Sequence, residues 1–214
     1  MNWLEQLKSD TLNITKAAAY DCFPPIGSQT EPYYNYRYEH IKQVEIESLK
    51  LLEVYKNADK DIVLASVWIH DRYKPQFDGA DHGNKAADWV LENLESTGFP
   101  KEKVKAVAYA VRSHAGWEKV PLDTLEAQMV WDADKIAHQG PNYIFNTIFI
   151  KTMVGFRKEE STISMDSIIA MLADQKRDMD DDESNPFHLD ESYKIHIEKA
   201  KAVNAFLEAM EKRL

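Results

Sequence analysis

The chain has 214 residues, 44% hydrophobic and 29% charged, which suits one sizeable buried core in a globular protein. Its net charge of -10 excludes broad electrostatic capture of nucleic acid, which needs a basic face. A small phosphorylated substrate is not excluded, because a bound metal and a few local cations can reverse the sign inside a pocket.

Residues 2–18 predict a first helix, with Trp3, Leu4, Leu7 and Ile14 toward one side. Its opening MNWLEQLKSD lacks the apolar run of a signal peptide. CFPPIGSQTEP (22–32) is a linker or loop. It holds the lone Cys22, which can form no internal disulfide and fits a reducing cytoplasm. From Tyr36 to about Tyr55, His40, Val44, Ser48, Leu51 and Tyr55 recur at helical steps, and Val63, Val67 and His70 continue the pattern on the next helix. VLASVWI (63–69) is among the longest apolar stretches and is far too short to cross a bilayer, so no membrane partner is expected.

PQFDGADHGN (75–84) reads as a loop, followed by an amphipathic helix through Ala86, Trp89, Val90 and Leu94 that stops near Gly98. Pro100 suits the first turn of another helix, whose Val104, Val107 and Val111 lead to His114. After the loop AGWEKVPLD, Asp123 or Thr124 can cap a helix through LEAQMVWDADKIA. Three further helical segments are expected near 141–157, 164–178 and 190–212, with Tyr143, Phe145 and Phe149 at a spacing typical of core. The acidic run 178–183 reads as a solvated inter-helix loop rather than a calcium site. No segment alternates with period two, so the expected fold class is all-α: an N-terminal helix and linker (1–32) leading into one globular helical bundle (33–214).

WIHDRYK (68–74) interrupts this pattern. Neighbouring helical residues diverge by about 100°, so His70 and Asp71 cannot both face one core in the ordinary way. His40, His70, His82 and His114 all fall at or near helix ends; His70 and His114 follow Val67 and Val111 by three residues, His40 precedes Val44 by four, and Asp134 follows Val130 by four. A single inward histidine is ordinarily a hydrogen-bonded core residue. Several of them together with inward carboxylates are harder to explain as packing, because a buried carboxylate is costly unless paired or metal-bound.

The segments YRYEHIKQVEIESLKLL, SVWIHDRYK and LEAQMVWDADKIAHQG, in that order, resemble the HD-domain superfamily of metal-dependent phosphohydrolases, whose signature is a distant His, then His-Asp, then a distant Asp. The resemblance spans about residues 36–140, and the last segment is similar to one bacterial branch in which a histidine like that of VRSHAG comes earlier in the chain. It implies a helical bundle with a metal at its centre, held by His40, His70, Asp71 and Asp134. Two imidazoles and two carboxylates form a mixed shell suited to Mn, Fe, Co, Ni, Mg or Zn. Such an ion is a Lewis acid and lowers the pKa of a bound water from about 15.7 toward about 7, with Asp71 placed to hold that water. His82 and His114 resemble the extra histidines of dinuclear members; they would bind a second ion with Asp71 as bridge, or else line the pocket and contact phosphate.

Lys74 stands where several branches place a lysine against substrate phosphate, and a solvated loop lysine is the alternative. Arg37 and Arg112 are candidates for phosphate or for groups behind the ligands, with surface ion pairs as the alternative. Asp132, two residues from Asp134, points elsewhere and reads as a supporting contact. Lys135 follows Asp134 where the family often has a basic residue, with a structural salt bridge as its default. After Gly140 the sequence departs from the branch it resembles, which predicts a substrate pocket wall of its own.

The expected function is hydrolysis of a phosphate ester or anhydride in a small, nucleotide-like molecule. A dinuclear iron oxygenase is the alternative from another class, and a ligand-binding regulatory module comes last because nothing in the ligand set looks damaged. The sequence leaves open the substrate, the number of ions and whether the chain forms a homodimer.

Overall fold

Helices begin where a polar side chain can accept the first unpaired backbone N–H groups. In the computed structural model, Asn2 caps α1 (Trp3–Cys22), Asn35 caps α2 (Tyr36–Val54) and Asp59 caps α3 (Lys60–Ile69), each accepting from a backbone N–H of the first turn. No side chain caps α4 (His82–Asn93). A 3-10 turn, Leu94–Thr97, then ends at Gly98, whose φ of 87° is a left-handed value that glycine adopts without strain. A second 3-10 turn, Lys101–Lys103, leads into α5 (Val104–Ser113). Thr124 accepts from Ala127 N at the start of α6 (Leu125–Ala137), and α7 covers Asp190–Glu211. The expected all-α class is what the protein has: among the described residues there is no strand.

The structure describes residues 2–74, 81–116, 119, 121–142, 144–146, 148–149, 164, 166–170, 172 and 185–212. The chain divides into two compact units, Met1–Asp134 and Lys135–Leu214. The first helix runs past the expected 18 to Cys22, because Ala17–Ala19 are good helix formers and no breaker occurs before Pro24. The acidic run and Tyr143 lie outside the described residues. Phe145, at a core-like spacing in the sequence, is 57% exposed and stacks on Phe149.

In the first unit α4 packs chiefly on α5, while α3 packs on α5, α2 and α1. Ile41, Leu51, Trp68, Ile69 and Trp131 are fully or almost fully buried there. The end of α3 is accounted for carbonyl by carbonyl. His70 N donates to Ser66 O, the His70 ring to Val67 O, Thr11 Oγ1 of α1 to Trp68 O (2.8 Å) and Arg72 N to Ile69 O. Asn35, besides capping α2, donates through Nδ2 to Thr15 Oγ1 of α1 (2.9 Å). Thus α1 serves as a brace touching both the start of α2 and the end of α3, two of the places where ligand-type histidines sit.

The second unit is built on α7, where Val203 and Leu207 pack with Leu172, Ile144, Ile168 and Phe206. His196 donates to Gln139 Oε1 and packs near Phe187, a helix-packing role in keeping with its place outside the motif. Among the described residues, no helix is long and apolar enough to cross a membrane.

Asp59 carries two loads, since its carboxylate caps α3 and also takes Lys103 Nζ at 2.8 Å. Burial alone would raise its pKa, but the Lys103 hydrogen bond and the backbone N–H groups of Ile62 and Asp61 together hold it below the usual value. A carboxyl depressed in the folded state stabilises above its unfolded pKa and loses that contribution as pH falls through the folded one. Asp59→Ala should therefore cost about 1 kcal/mol at pH 7 and lower the melting temperature by about 2–4 °C. In thermal melts across pH the deficit should shrink below about pH 4.

Candidate metal centre

Five helices, two of them through the residues just past their ends, bring the ligand-type side chains to one buried point. His40 lies one turn into α2, His70 and Asp71 follow the last residue of α3, His82 opens α4, His114 follows α5 and Asp134 lies on α6. All six are buried, His70 and Asp71 completely. The carboxylate of Asp71 divides them into two sets. Its Oδ2 faces His40 Nε2 (3.6 Å) and His70 Nε2 (4.0 Å), and Asp134 Oδ1 closes that side at 3.0 Å from His40 Nε2 and 3.8 Å from His70 Nε2. Its Oδ1 faces His82 Nε2 (3.1 Å) and His114 Nε2 (3.4 Å), which lie 3.0 Å from each other.

The tautomers follow from the helix ends. His70 Nδ1 meets Val67 O and His114 Nδ1 meets Val111 O, and a carbonyl can only accept, so both Nδ1 atoms carry the proton. Each Nε2 is turned toward the carboxylates. His70 Nε2 is buried with no hydrogen-bond partner. Burial, countered in part by Asp71, pushes the His70 pKa down to about 3, so the ring is a neutral donor at physiological pH. Converging lone pairs and carboxylate oxygens call for a cation. Adjacent ligand atoms of an octahedral ion with bonds of about 2.1 Å stand about 3 Å apart, a spacing met by His82, His114 and Asp71 Oδ1 on one side and by His40 and Asp134 on the other, where His70 stands farther off. The residues present fit a divalent metal: His40, His70 and Asp134 form one group able to hold an ion, and His70, Asp71 and His114 another.

Basic groups complete the charge balance. Arg37 Nη1, itself buried, donates to Asp71 Oδ2 at 2.6 Å. Burial would raise the Asp71 pKa, but the Arg37 guanidinium against its Oδ2 holds it well below the usual carboxylate range. Lys74 Nζ approaches the same Oδ2 at 3.4 Å with its side chain still 31% exposed, so it links the buried cluster to solvent.

The remaining candidates separate cleanly. Arg112 lies away from the cluster, 46% exposed and paired with Asp88. Asp132 is buried but belongs to neither ligand group, as its position two residues from Asp134 on one helix requires. Lys135 is buried within the second unit. Tyr36 was not singled out by the sequence reading. It stands one turn before His40, with its ring near-parallel to that imidazole at 6.4 Å. Burial, reinforced by Asp71 and Asp134, pushes its hydroxyl pKa up to about 12, so it stays a neutral donor. The signal available was its i−4 spacing from His40, which puts both on one helix face.

No family model matches the sequence, and no curated protein matches it. Solved structures do. YpgQ of Bacillus subtilis superposes with a TM-score of 0.67 at 18% identity, over 99% of this chain and 96% of its own. An HD-superfamily hydrolase from Bacillus thuringiensis gives 0.61 at 16% identity, covering 98% and 97%. A predicted HD-superfamily hydrolase from an uncultured Thermotogales bacterium gives 0.58 at 17%, covering 96% and 91%. A structure of YpgQ in complex with ADP matches at 0.64 and 18%, covering 99% and 97%. A helical bundle whose His, His-Asp and Asp side chains meet at one buried point, superposing over nearly its whole length on these proteins, has the fold of the HD-superfamily hydrolases.

Proposed function

We propose that the protein is a metal-dependent phosphohydrolase acting on a small, nucleotide-like phosphate ester or anhydride. The observation that carries this reading is the Asp71 carboxylate, buried completely, with an imidazole set on each oxygen and a partly exposed lysine at its edge. Held by His40, His70, Asp71 and Asp134, with His82 and His114 available for a second ion, a divalent metal would supply Lewis acidity and a water of lowered pKa.

The chain's own residues do the rest. Lys74, cationic and reachable from solvent, binds and orients a phosphate oxygen and meets the negative charge that grows on it during phosphoryl transfer. Asp71 stays ionised and acts as a fixed acceptor that orients a water proton, since its low pKa makes it a poor proton store. Arg37 holds that carboxylate in place by a short charged hydrogen bond. Tyr36 presents a neutral hydroxyl near the same charges, suited to hydrogen-bonding a substrate oxygen. YpgQ, of like fold, is known in complex with ADP, which supports a nucleotide-type ligand here.

The pair His82–His114 on Asp71 Oδ1 also favours a second reading, a dinuclear iron oxygenase. Oxygen uptake by anaerobically iron-loaded protein on substrate addition would favour it over hydrolysis.

With manganese or iron restored after chelation, phosphate or pyrophosphate release should appear in a screen of nucleotides, cyclic dinucleotides and phosphomonoesters. His70→Ala and Asp71→Asn should fall to background while circular dichroism shows them folded. A metal-loaded protein inert across the whole screen would sink the reading. Lys74→Ala should bind the same number of ions as wild type yet lose about 10²-fold in kcat/KM. An unchanged value would return Lys74 to the status of surface charge.

A further inference from the structure

His82 must reach Asp71 from a helix whose start has no side-chain cap and whose packing is chiefly against α5. That packing sets its relation to His114. A Cβ on Gly83 would already touch Arg112 O and Val111 O, at 3.4 and 3.5 Å, so α4 lies close along the end of α5. Its relation to Asp71, in the turn after α3, runs through α5 and through the contacts that this turn itself makes with α4.

Arg72, the residue after Asp71, is buried with its guanidinium carbon 4.2 Å from the Trp89 ring centroid and 5.5 Å from that of Tyr73. Its Nε and Nη1 are buried without hydrogen-bond partners, so aromatic faces, together with the charge of Asp10 on α1, stand in for lost water. Trp89 follows His82 by seven residues, two turns of α4, and therefore shares its side of the helix. One strand of chain thus makes two successive contacts with one helix face: Asp71 with His82, and Arg72 with Trp89.

We propose that the Arg72–Trp89 stack is a positioning pair that holds His82 against Asp71, and so builds the half-site of Asp71 Oδ1, His82 and His114. The half-site of His40, His70 and Asp134 takes no ligand from α4, so it does not depend on how that helix is held. The inference rests on the two-ion reading of the centre. It gives Arg72 a role through His82, with no contact to substrate.

The test is a manganese titration of the full chain, counting ions and affinities by calorimetry and electron paramagnetic resonance, with melting followed in parallel. Wild type should bind two ions. Arg72→Met and Trp89→Leu should each keep the tighter ion and weaken the second by about 10- to 100-fold. Trp89→Phe, which retains a ring face, should recover most of that loss. The double variant should lose no more than either single one, because both remove one contact. A wild-type protein that binds a single ion overturns the two-ion reading, and this inference with it. Two ions in wild type, with both retained in the variants, overturns the clamp alone. Equal weakening of both ions, or variants that no longer fold while Trp89→Phe behaves like Trp89→Leu, would make the stack a general folding contact and overturn the inference as well.

Discussion

A carboxylate with no exposed surface is costly unless its charge is met on every side, and Asp71 is such a group. Arg37 comes to it from α2, His82 from α4, His114 from the end of α5, and Lys74 from the turn that Asp71 itself begins. Each partner arrives on a different segment, so meeting one charge requires the helices of the first unit to converge on one point. The brace formed by α1 and the close approach of α4 to α5 can be understood as consequences of that requirement. Thr11 and Thr15 on α1 steady the end of α3 and the start of α2, and Gly83 lets α4 lie close to α5.

Helix termini do the local chemistry. A helix ends with carbonyls that lack intrahelical partners, and here two of them are met by imidazoles placed three residues later. The contact caps the helix and fixes the tautomer in a single step. At His70, where burial keeps the ring neutral, a proton committed to Nδ1 leaves Nε2 as a lone pair. A stabilising feature of the backbone therefore creates the donor that a metal site needs. The same logic explains why His70 and Asp71 can be neighbours: the helix stops at Ile69, and the turn that follows lets two diverging side chains reach one centre.

The two basic residues nearest Asp71 illustrate how burial divides labour between groups of the same sign. Arg37 is enclosed and spends its charge on Asp71 through a short hydrogen bond. Lys74 approaches the same oxygen from farther off and keeps contact with water, so its charge remains available to an incoming anion. Distance and exposure, rather than residue type, separate the structural cation from the one suited to substrate.

Much of the fold was legible in the sequence because helical periodicity, capping side chains and breakers are local. Thr124 announces a helix start, and Val67–His70 and Val111–His114 carry the spacing that places each imidazole over its own helix end. The inward stripes of His40, His70 and Asp134 were legible for the same reason, while Asp71 joined them through the resemblance to the HD superfamily. What the sequence could not decide was which distant groups share an oxygen. Arg37 and Arg112 look alike in the chain, yet one is buried on Asp71 and the other pairs with Asp88 at the surface. Tyr36 beside His40, the split of Asp71 into two faces, and the seating of Arg72 on Trp89 all depend on how helices far apart in sequence cross. Local rules set which side of a helix a residue occupies; only tertiary packing decides what stands opposite.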